Sequence, residues 1–65
     1  MANEFRASEL AECAEREVKQ RKRVYPRRIT EGRMTQSLAE RQIAMMEAIA
    51  AHYRSMARKE EDLFG

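Results

Sequence analysis

Residues 30–35 read TEGRMT and contain the glycine that decides the fold. Gly32 stands where a helix would end in the left-handed backbone conformation, which glycine adopts without a steric penalty. Thr35 follows it, and threonine is a preferred N-cap because its hydroxyl accepts a hydrogen bond from a free backbone amide. Leu38 occupies the position where a full capping box would need Glu or Gln. The stretch therefore predicts a tight turn over residues 32–35 between two helices.

The residues after this turn predict an amphipathic helix over about 36–59. Most of them are strong helix formers. The apolar side chains fall on one broad face, formed by Leu38, Ala39, Ile43, Met46, Ile49, Ala50, Tyr53, Met56 and Ala57. We expect residues 60–65 to form a C-terminal tail.

The residues before the turn predict a helix over about 4–31. Its apolar residues keep a helical phase through the single proline, in the order Ala7, Ala11, Ala14, Val18, Tyr25 and Ile29. Pro26 lacks an amide donor and crowds the carbonyl of Lys22, so the leading prediction is one helix with a kink at Pro26. The alternative is that the helix stops near Val24 and Pro26 begins a short second helix. Either Asn3 or Ser8 could cap the start.

Folding the chain about Gly32 predicts an all-α fold, an antiparallel two-helix hairpin that occupies residues 1–65 as one domain. Residues whose numbers sum to about 67 should then face each other across the hairpin. The expected pairs are Ile29 with Leu38, Val18 with Ile49, Ala14 with Tyr53, Ala11 with Met56, and Tyr25 hydrogen-bonded to Gln42.

A chain of 65 residues is near the lower limit for burying a sufficient core alone. The lone Cys13 and the lone His52 exclude an internal disulfide and a four-ligand zinc site, so we expect no metal and no cofactor. Two helices also leave apolar residues uncovered, namely Leu10, Cys13, Val24, Met45, Ile49 and Met56. These observations predict a homodimer that forms a four-helix bundle, and the alternative is that a helix of another protein docks there.

The net charge is only +2, but residues 18–33 hold seven basic residues and a single acidic one. We call these seven the basic rim: Lys19, Arg21, Lys22, Arg23, Arg27, Arg28 and Arg33. On a helix they would form a surface near the turn. The functional interpretation is contact with phosphates or with an acidic partner protein. The alternative is a solvated helix face whose cations are favoured near a helix C-terminus.

The residue types argue against catalysis. One histidine, one cysteine and the absence of a glycine-rich phosphate loop leave no pair of groups for nucleophilic or metal chemistry. We therefore expect a protein that is not an enzyme and has no small-molecule substrate. No stretch resembles a signal peptide or an uninterrupted apolar span, so we also expect a soluble, cytoplasmic protein without a membrane partner.

The C-terminal stretch KEEDLFG contains a short resemblance. Asp62, Leu63 and Phe64 look like the end of the peptide by which bacterial proteins bind the replication sliding clamp. Glu60 stands where that motif begins with glutamine. The resemblance implies a possible clamp contact at these three residues.

A longer resemblance covers residues 11–54, from AECAEREVKQRKRVYPRRITEG to AIAAHYR. This run resembles small uncharacterised helical proteins encoded by phages and prophages of Gram-negative bacteria. The resemblance implies a phage context in a bacterial host, and it supplies no catalytic residue. The leading functional hypothesis is a module that binds or inhibits a host or phage protein through its basic rim and an apolar face. The alternative is a small nucleic-acid-binding accessory protein.

Overall fold

The computed structural model describes residues 4–64, with side chains described up to residue 61. It contains two α-helices, α1 over Ala7–Thr30 and α2 over Gln36–Phe64. They pack along each other as an antiparallel hairpin about 48 Å long. The predicted all-α hairpin is confirmed. Within residues 4–64, neither helix combines the length and the apolarity needed to cross a membrane.

The turn forms as the sequence predicts. Gly32 has a φ of 76°, its N–H donates to the carbonyl of Ile29 at 3.0 Å, and the N–H of Arg33 donates to the carbonyl of Arg28 at 2.9 Å. These two bonds make a Schellman motif, which satisfies carbonyls at the end of α1. The hydroxyl of Thr35 accepts a hydrogen bond from the N–H of Leu38 at 3.1 Å, so the predicted N-cap of α2 is confirmed.

Gly32→Ala is expected to destabilise the protein through the backbone alone. A Cβ added at this position would meet no atom within 4 Å, so no steric contact contributes. The left-handed conformation costs an L-residue about 1–2 kcal/mol, and asparagine tolerates it better than alanine does. Urea unfolding at fixed protein concentration should therefore rank wild type above Gly32→Asn and Gly32→Asn above Gly32→Ala. An alanine variant as stable as wild type would contradict this account of the turn.

Helix α1 begins later than predicted. Its first residue is Ala7 rather than a residue near 4, and Arg6 is the N-cap. The carboxylate of Glu9 accepts a hydrogen bond from the backbone N–H of Arg6 at 3.1 Å, which is the acidic half of a capping box. Ser8 lies inside the helix and is not the cap, and Asn3 lies outside the described residues. Neither predicted N-cap position was right, because Glu9 fixes the start instead.

Helix α1 passes through Pro26 and ends at Thr30. The alternative of a separate helix beginning at Pro26 is therefore wrong. The hydroxyl of Thr30 donates to the carbonyl of Pro26 at 3.0 Å, whereas the carbonyl that loses an amide donor to the proline is that of Lys22. The kink at Pro26 stays a prediction.

Helix α2 begins at Gln36 as predicted but continues to Phe64, past the predicted end near residue 59. The predicted C-terminal tail over residues 60–65 is thus helical up to residue 64. The stretch from Lys59 to Phe64 holds no glycine or proline, and its first residues are good helix formers.

The core between the helices consists almost entirely of alanine. The buried residues are Ala7, Ala11, Ala14 and Val18 of α1 with Ala39, Ala50 and Ala57 of α2. All four buried residues of α1 precede residue 19. Small side chains at each contact allow the two helices to approach closely, since interaxial distance depends on the side chains at the contact.

The predicted register was wrong. The two ion pairs that join the helices, Glu15 with Arg54 and Lys22 with Glu47, have residue numbers that sum to 69 rather than 67. The residues predicted to face Ile29, Val18 and Ala11 are exposed instead, as Leu38 and Ile49 at 45% and Met56 at 38%. Their sequence neighbours Ala39, Ala50 and Ala57 take the buried positions. In the described part of the chain, no hydrogen bond joins Tyr25 to Gln42.

Candidate interaction surfaces

One long side of the hairpin is charged and ties the helices together. The guanidinium of Arg54 donates to both carboxylate oxygens of Glu15, from Nη2 at 2.8 Å and from Nε at 3.1 Å. Further along, the Nζ of Lys22 lies 3.1 Å from Oε2 of Glu47. The bidentate pair has the stronger geometry, because two parallel bonds fix the orientation of both groups. These contacts fix the register of the helices on this charged side.

The ion pair shifts the pKa of both partners. Hydrogen bonds from Arg54 lower the pKa of Glu15 below its usual value, and the Glu15 carboxylate raises the pKa of Arg54. A carboxyl group with a lowered folded pKa stabilises the fold above its unfolded pKa, about 4.3 for glutamate. That contribution is lost as the pH falls through the lower, folded pKa.

Glu15→Gln is accordingly expected to lower the melting temperature at pH 7 and to make no difference in strong acid. The gap between wild type and variant should narrow as the pH falls below the unfolded glutamate pKa, about 4.3, and close once the pH is below the lowered folded pKa of Glu15. Glu12→Gln is the matched control, since Glu12 lies exposed on the same helix and has no ion pair within residues 4–61. A gap that persists unchanged at pH 2 would show that the pair contributes nothing through its charge.

The opposite side of the hairpin is apolar. We call the apolar face the set Leu10, Leu38, Met45, Ile49 and Met56, which combines the four residues predicted from the sequence with Leu38. Met45 is 44% exposed, about the same exposed fraction as Leu38 and Ile49, while Leu10 is half-buried. Leu10 and Met56 line one groove, so the two helices form this face together. Phe5, 56% exposed, lines the same groove at the open end of the hairpin.

Helix α2 carries more apolar surface than one partner helix covers. Residues 42–53 read QIAMMEAIAAHY and contain a single charged residue, Glu47. The side toward α1 is filled by Ala39, Ala50 and Ala57, and each exposed large residue stands one position earlier in the sequence, about 100° round the helix. The sequence analysis merged these two sides into one broad face. The structure separates them into a buried side and an exposed one.

The remaining residues predicted near this face are exposed or half-buried. Cys13 is an exposed free thiol, and Val24 is half-buried on α1. His52 is exposed, and its ring meets that of Tyr53 edge to face with centroids 5.3 Å apart. Within residues 4–61, no group of three or more His, Cys, Asp or Glu side chains stands together in a way that could hold a metal ion.

Glutamates neutralise part of the basic rim. All seven of its residues are exposed except Arg21, which is half-buried. Arg21 pairs with Glu17 at 2.8 Å, Arg27 with Glu31 at 3.2 Å, and Arg33 with Glu31 at 3.9 Å. Lys22 is held by Glu47 on the charged side. The spacing of four residues between Glu17 and Arg21, and between Arg27 and Glu31, was a readable signal for two of these pairs.

Three members of the basic rim have no ion-pair partner among residues 4–61: Lys19, Arg23 and Arg28. Arg23 donates a hydrogen bond to the side-chain oxygen of Gln20 at 3.3 Å, a neutral acceptor. After the hydrogen bonds from Arg54, the charge of Lys19 nevertheless helps to lower the pKa of Glu15. The three residues carry positive charge that no ion pair among residues 4–61 holds and that a partner could meet.

The three residues of the clamp-like motif, Asp62, Leu63 and Phe64, continue helix α2. Their side chains lie outside the described residues, so the clamp contact stays a prediction.

Comparisons of the chain with protein-family models, curated proteins and solved structures found no match. The resemblance to small phage proteins therefore stays a prediction as well. The functional argument has to come from the surfaces of the hairpin.

Proposed function

We propose that the protein is a non-catalytic interaction module that binds another protein through its apolar face and its basic rim. The observation that carries the proposal is the row of large exposed side chains on α2, formed by Leu38, Met45, Ile49 and Met56. Single exposed apolar residues are ordinary on protein surfaces, but four large ones recurring along one side of a helix are typical of a docking site.

The basic rim gives this module a charged end beside the apolar face. Positive charge that no ion pair holds is carried by Lys19, Arg23 and Arg28. This charge favours a partner whose contact surface is acidic. Charges at the edge of an interface speed association and select partners more than they add affinity. We place the partner in a phage or its bacterial host on the resemblance alone.

A second candidate function is contact with nucleic acid through the same three unpaired cations. Phosphate contacts release counterions, so such binding weakens steeply as salt rises, with a slope in log affinity of about −0.9 for each duplex phosphate neutralised. Apolar docking on a protein lacks that dependence. The intramolecular pairing of Arg21, Lys22, Arg27 and Arg33 makes protein binding the leading candidate.

The test removes the three charges of the basic rim that no ion pair holds, as Lys19→Gln, Arg23→Gln and Arg28→Gln. Glutamine keeps a good helix former at each position, so the hairpin should fold as before. Affinity for a partner recovered by tagged-protein capture should fall about tenfold, since exposed ion pairs contribute about 0.2–1 kcal/mol each. For a DNA duplex, the salt slope should also become shallower.

The matched control removes the same number of charges elsewhere, as Arg41→Gln, Arg58→Gln and Lys59→Gln, all exposed residues of α2. It should bind like wild type. If the rim variant and the control bind equally well, the basic rim is a solvated face and this part of the proposal is wrong.

A further inference from the structure

Building on the proposed function, we infer that the exposed row on α2 is covered by α2 of a second copy of this chain, packed antiparallel about a two-fold axis near residue 47. The second copy occupies the apolar face in the free protein and leaves the basic rim exposed. A partner that docks on the same row, as in the proposed function, would displace the second copy.

The row has the spacing of a helix–helix seam. Exposed or half-buried residues recur at intervals of four and three along α2, in the order Leu38, Gln42, Met45, Ile49, His52 and Met56. This alternation keeps side chains facing a neighbouring helix over several turns. The buried side of α2 shows the same alternation one residue later, through Ala39, Ile43, Met46, Ala50, Tyr53 and Ala57. Helix α2 is thus built to pack against two helices, of which α1 is one.

An antiparallel copy matches this row with itself. With the axis near residue 47, Leu38 meets Met56 of the second copy, and Met45 meets its Ile49. The two polar members of the row, Gln42 and His52, then meet each other, and an amide and an imidazole can hydrogen-bond. A parallel copy would instead set two glutamines together and two histidines together. The residue types therefore favour the antiparallel arrangement.

The charges of the two ends favour the same arrangement. Near the turn, Arg27, Arg28, Arg33 and Arg41 outnumber Glu31 and Glu40, whereas at the open end Glu4, Glu9, Glu60 and Glu61 outnumber Arg6, Arg58 and Lys59 by one. Antiparallel packing lays the basic end of one copy along the acidic end of the other. It brings Glu60 close to Arg33 of the second copy. Parallel packing would place like charges side by side, which is unfavourable.

The surface beside the row also permits close approach. Ala48 flanks the row on the side away from α1, and it is small and exposed. Small residues let helix backbones come closer. The resulting four-helix bundle carries two equivalent basic rims, each running from near the two-fold axis to one turn.

Disulfide trapping tests the direction of packing. Cys13 is exposed, so the background carries Cys13→Ser. Gln42→Cys and His52→Cys are each added singly to this background, and circular dichroism confirms that each variant is helical. The expected result is a disulfide dimer when the two variants are mixed and oxidised, with little dimer from either variant alone. Ala44→Cys is the control, since Ala44 is exposed on another side of α2 and should not cross-link in any combination.

Dimers from each variant alone, without the mixed dimer, would overturn the inference in favour of parallel packing. The mass of the wild-type chain by light scattering gives an independent check that needs no variant. A value near 7.6 kDa at high protein concentration would overturn the inference altogether. A monomer that still captured a partner in an Ile49-dependent way would leave the proposed function standing. A dimer that captured no partner would support the inference and contradict the proposed function.

Discussion

Ala11→Asp is expected to unfold the hairpin at every protein concentration. Ala11 is 0% exposed at the contact between the helices, so a carboxylate there would be buried without water. A buried charge without a partner costs about 3 kcal/mol or more. A single core in a chain of this size supplies only about 3–5 kcal/mol of stability, so this penalty removes most or all of it. Far-ultraviolet circular dichroism should show most of the helical signal lost at room temperature.

The control for this substitution is Ala44→Asp, which makes the same chemical change on an exposed part of α2. Its cost should be limited to the weaker helix propensity of aspartate, about 0.5 kcal/mol. If the two variants melt at the same temperature, the alanine contact between the helices is not what holds the fold.

Ile49→Asp is expected to separate the dimer while leaving each hairpin folded. Ile49 is 45% exposed in the single chain, so the substitution removes little from the internal core. In the proposed bundle it would bury two carboxylates close to the two-fold axis. A penalty of about 3 kcal/mol raises the dissociation constant of the dimer by about 100-fold. Sedimentation equilibrium over a range of concentrations would measure that change directly.

Ala44→Asp serves again as the control and should associate like wild type. Comparison of the three aspartate variants distinguishes the core contact within one hairpin from the contact between two copies. The core variant should lose helix, the apolar-face variant should lose association, and the exposed variant should lose neither. A wild-type dissociation constant for Ile49→Asp would show that the row on α2 is not the interface between copies.

The turn and the fold class could be predicted because their causes are local. A left-handed position needs glycine, and an N-cap needs a hydroxyl or carboxylate, so Gly32 and Thr35 are readable within six residues of sequence. Helical periodicity then fixed two antiparallel helices. The continuation of α1 through Pro26 was also predicted, because the apolar phase is unbroken across that residue.

The register was not predictable by the same reasoning. A helical period identifies a broad apolar face but does not say which part of it packs inside. Ile49 and Ala50 are adjacent apolar residues, and the expected pairing placed the larger one, Ile49, against Val18 in the core. The structure buries the smaller one, because an alanine seam lets the helices approach closely and lets Arg54 reach Glu15. That choice depends on both helices at once, so one helix alone does not reveal it.

The residues of the candidate surfaces were predicted, but the ion pairs that neutralise part of their charge were not. The seven basic residues of the rim and the apolar residues Met45, Ile49 and Met56 lie on the surface. Their ion-pair partners were missed. Glu17 and Glu31 stand four residues from an arginine and were readable, but Glu47 approaches Lys22 only through the register of the folded hairpin. A count of charges along the chain therefore overstated the positive potential of the rim.

The uneven distribution of the core has a consequence for motion. The four buried residues of α1 all precede residue 19, so the half of this helix that approaches the turn is anchored by half-buried side chains and the exposed Lys22–Glu47 ion pair. Pro26 removes one amide from that same half. Local opening is easiest where few buried contacts must break, so residues 19–30 can open while the alanine seam stays closed. Their amide hydrogens would then exchange with solvent earlier than those of residues 7–18. The arginines near the turn therefore lie on the half of α1 that opens more easily, while residues 7–18 stay packed against α2.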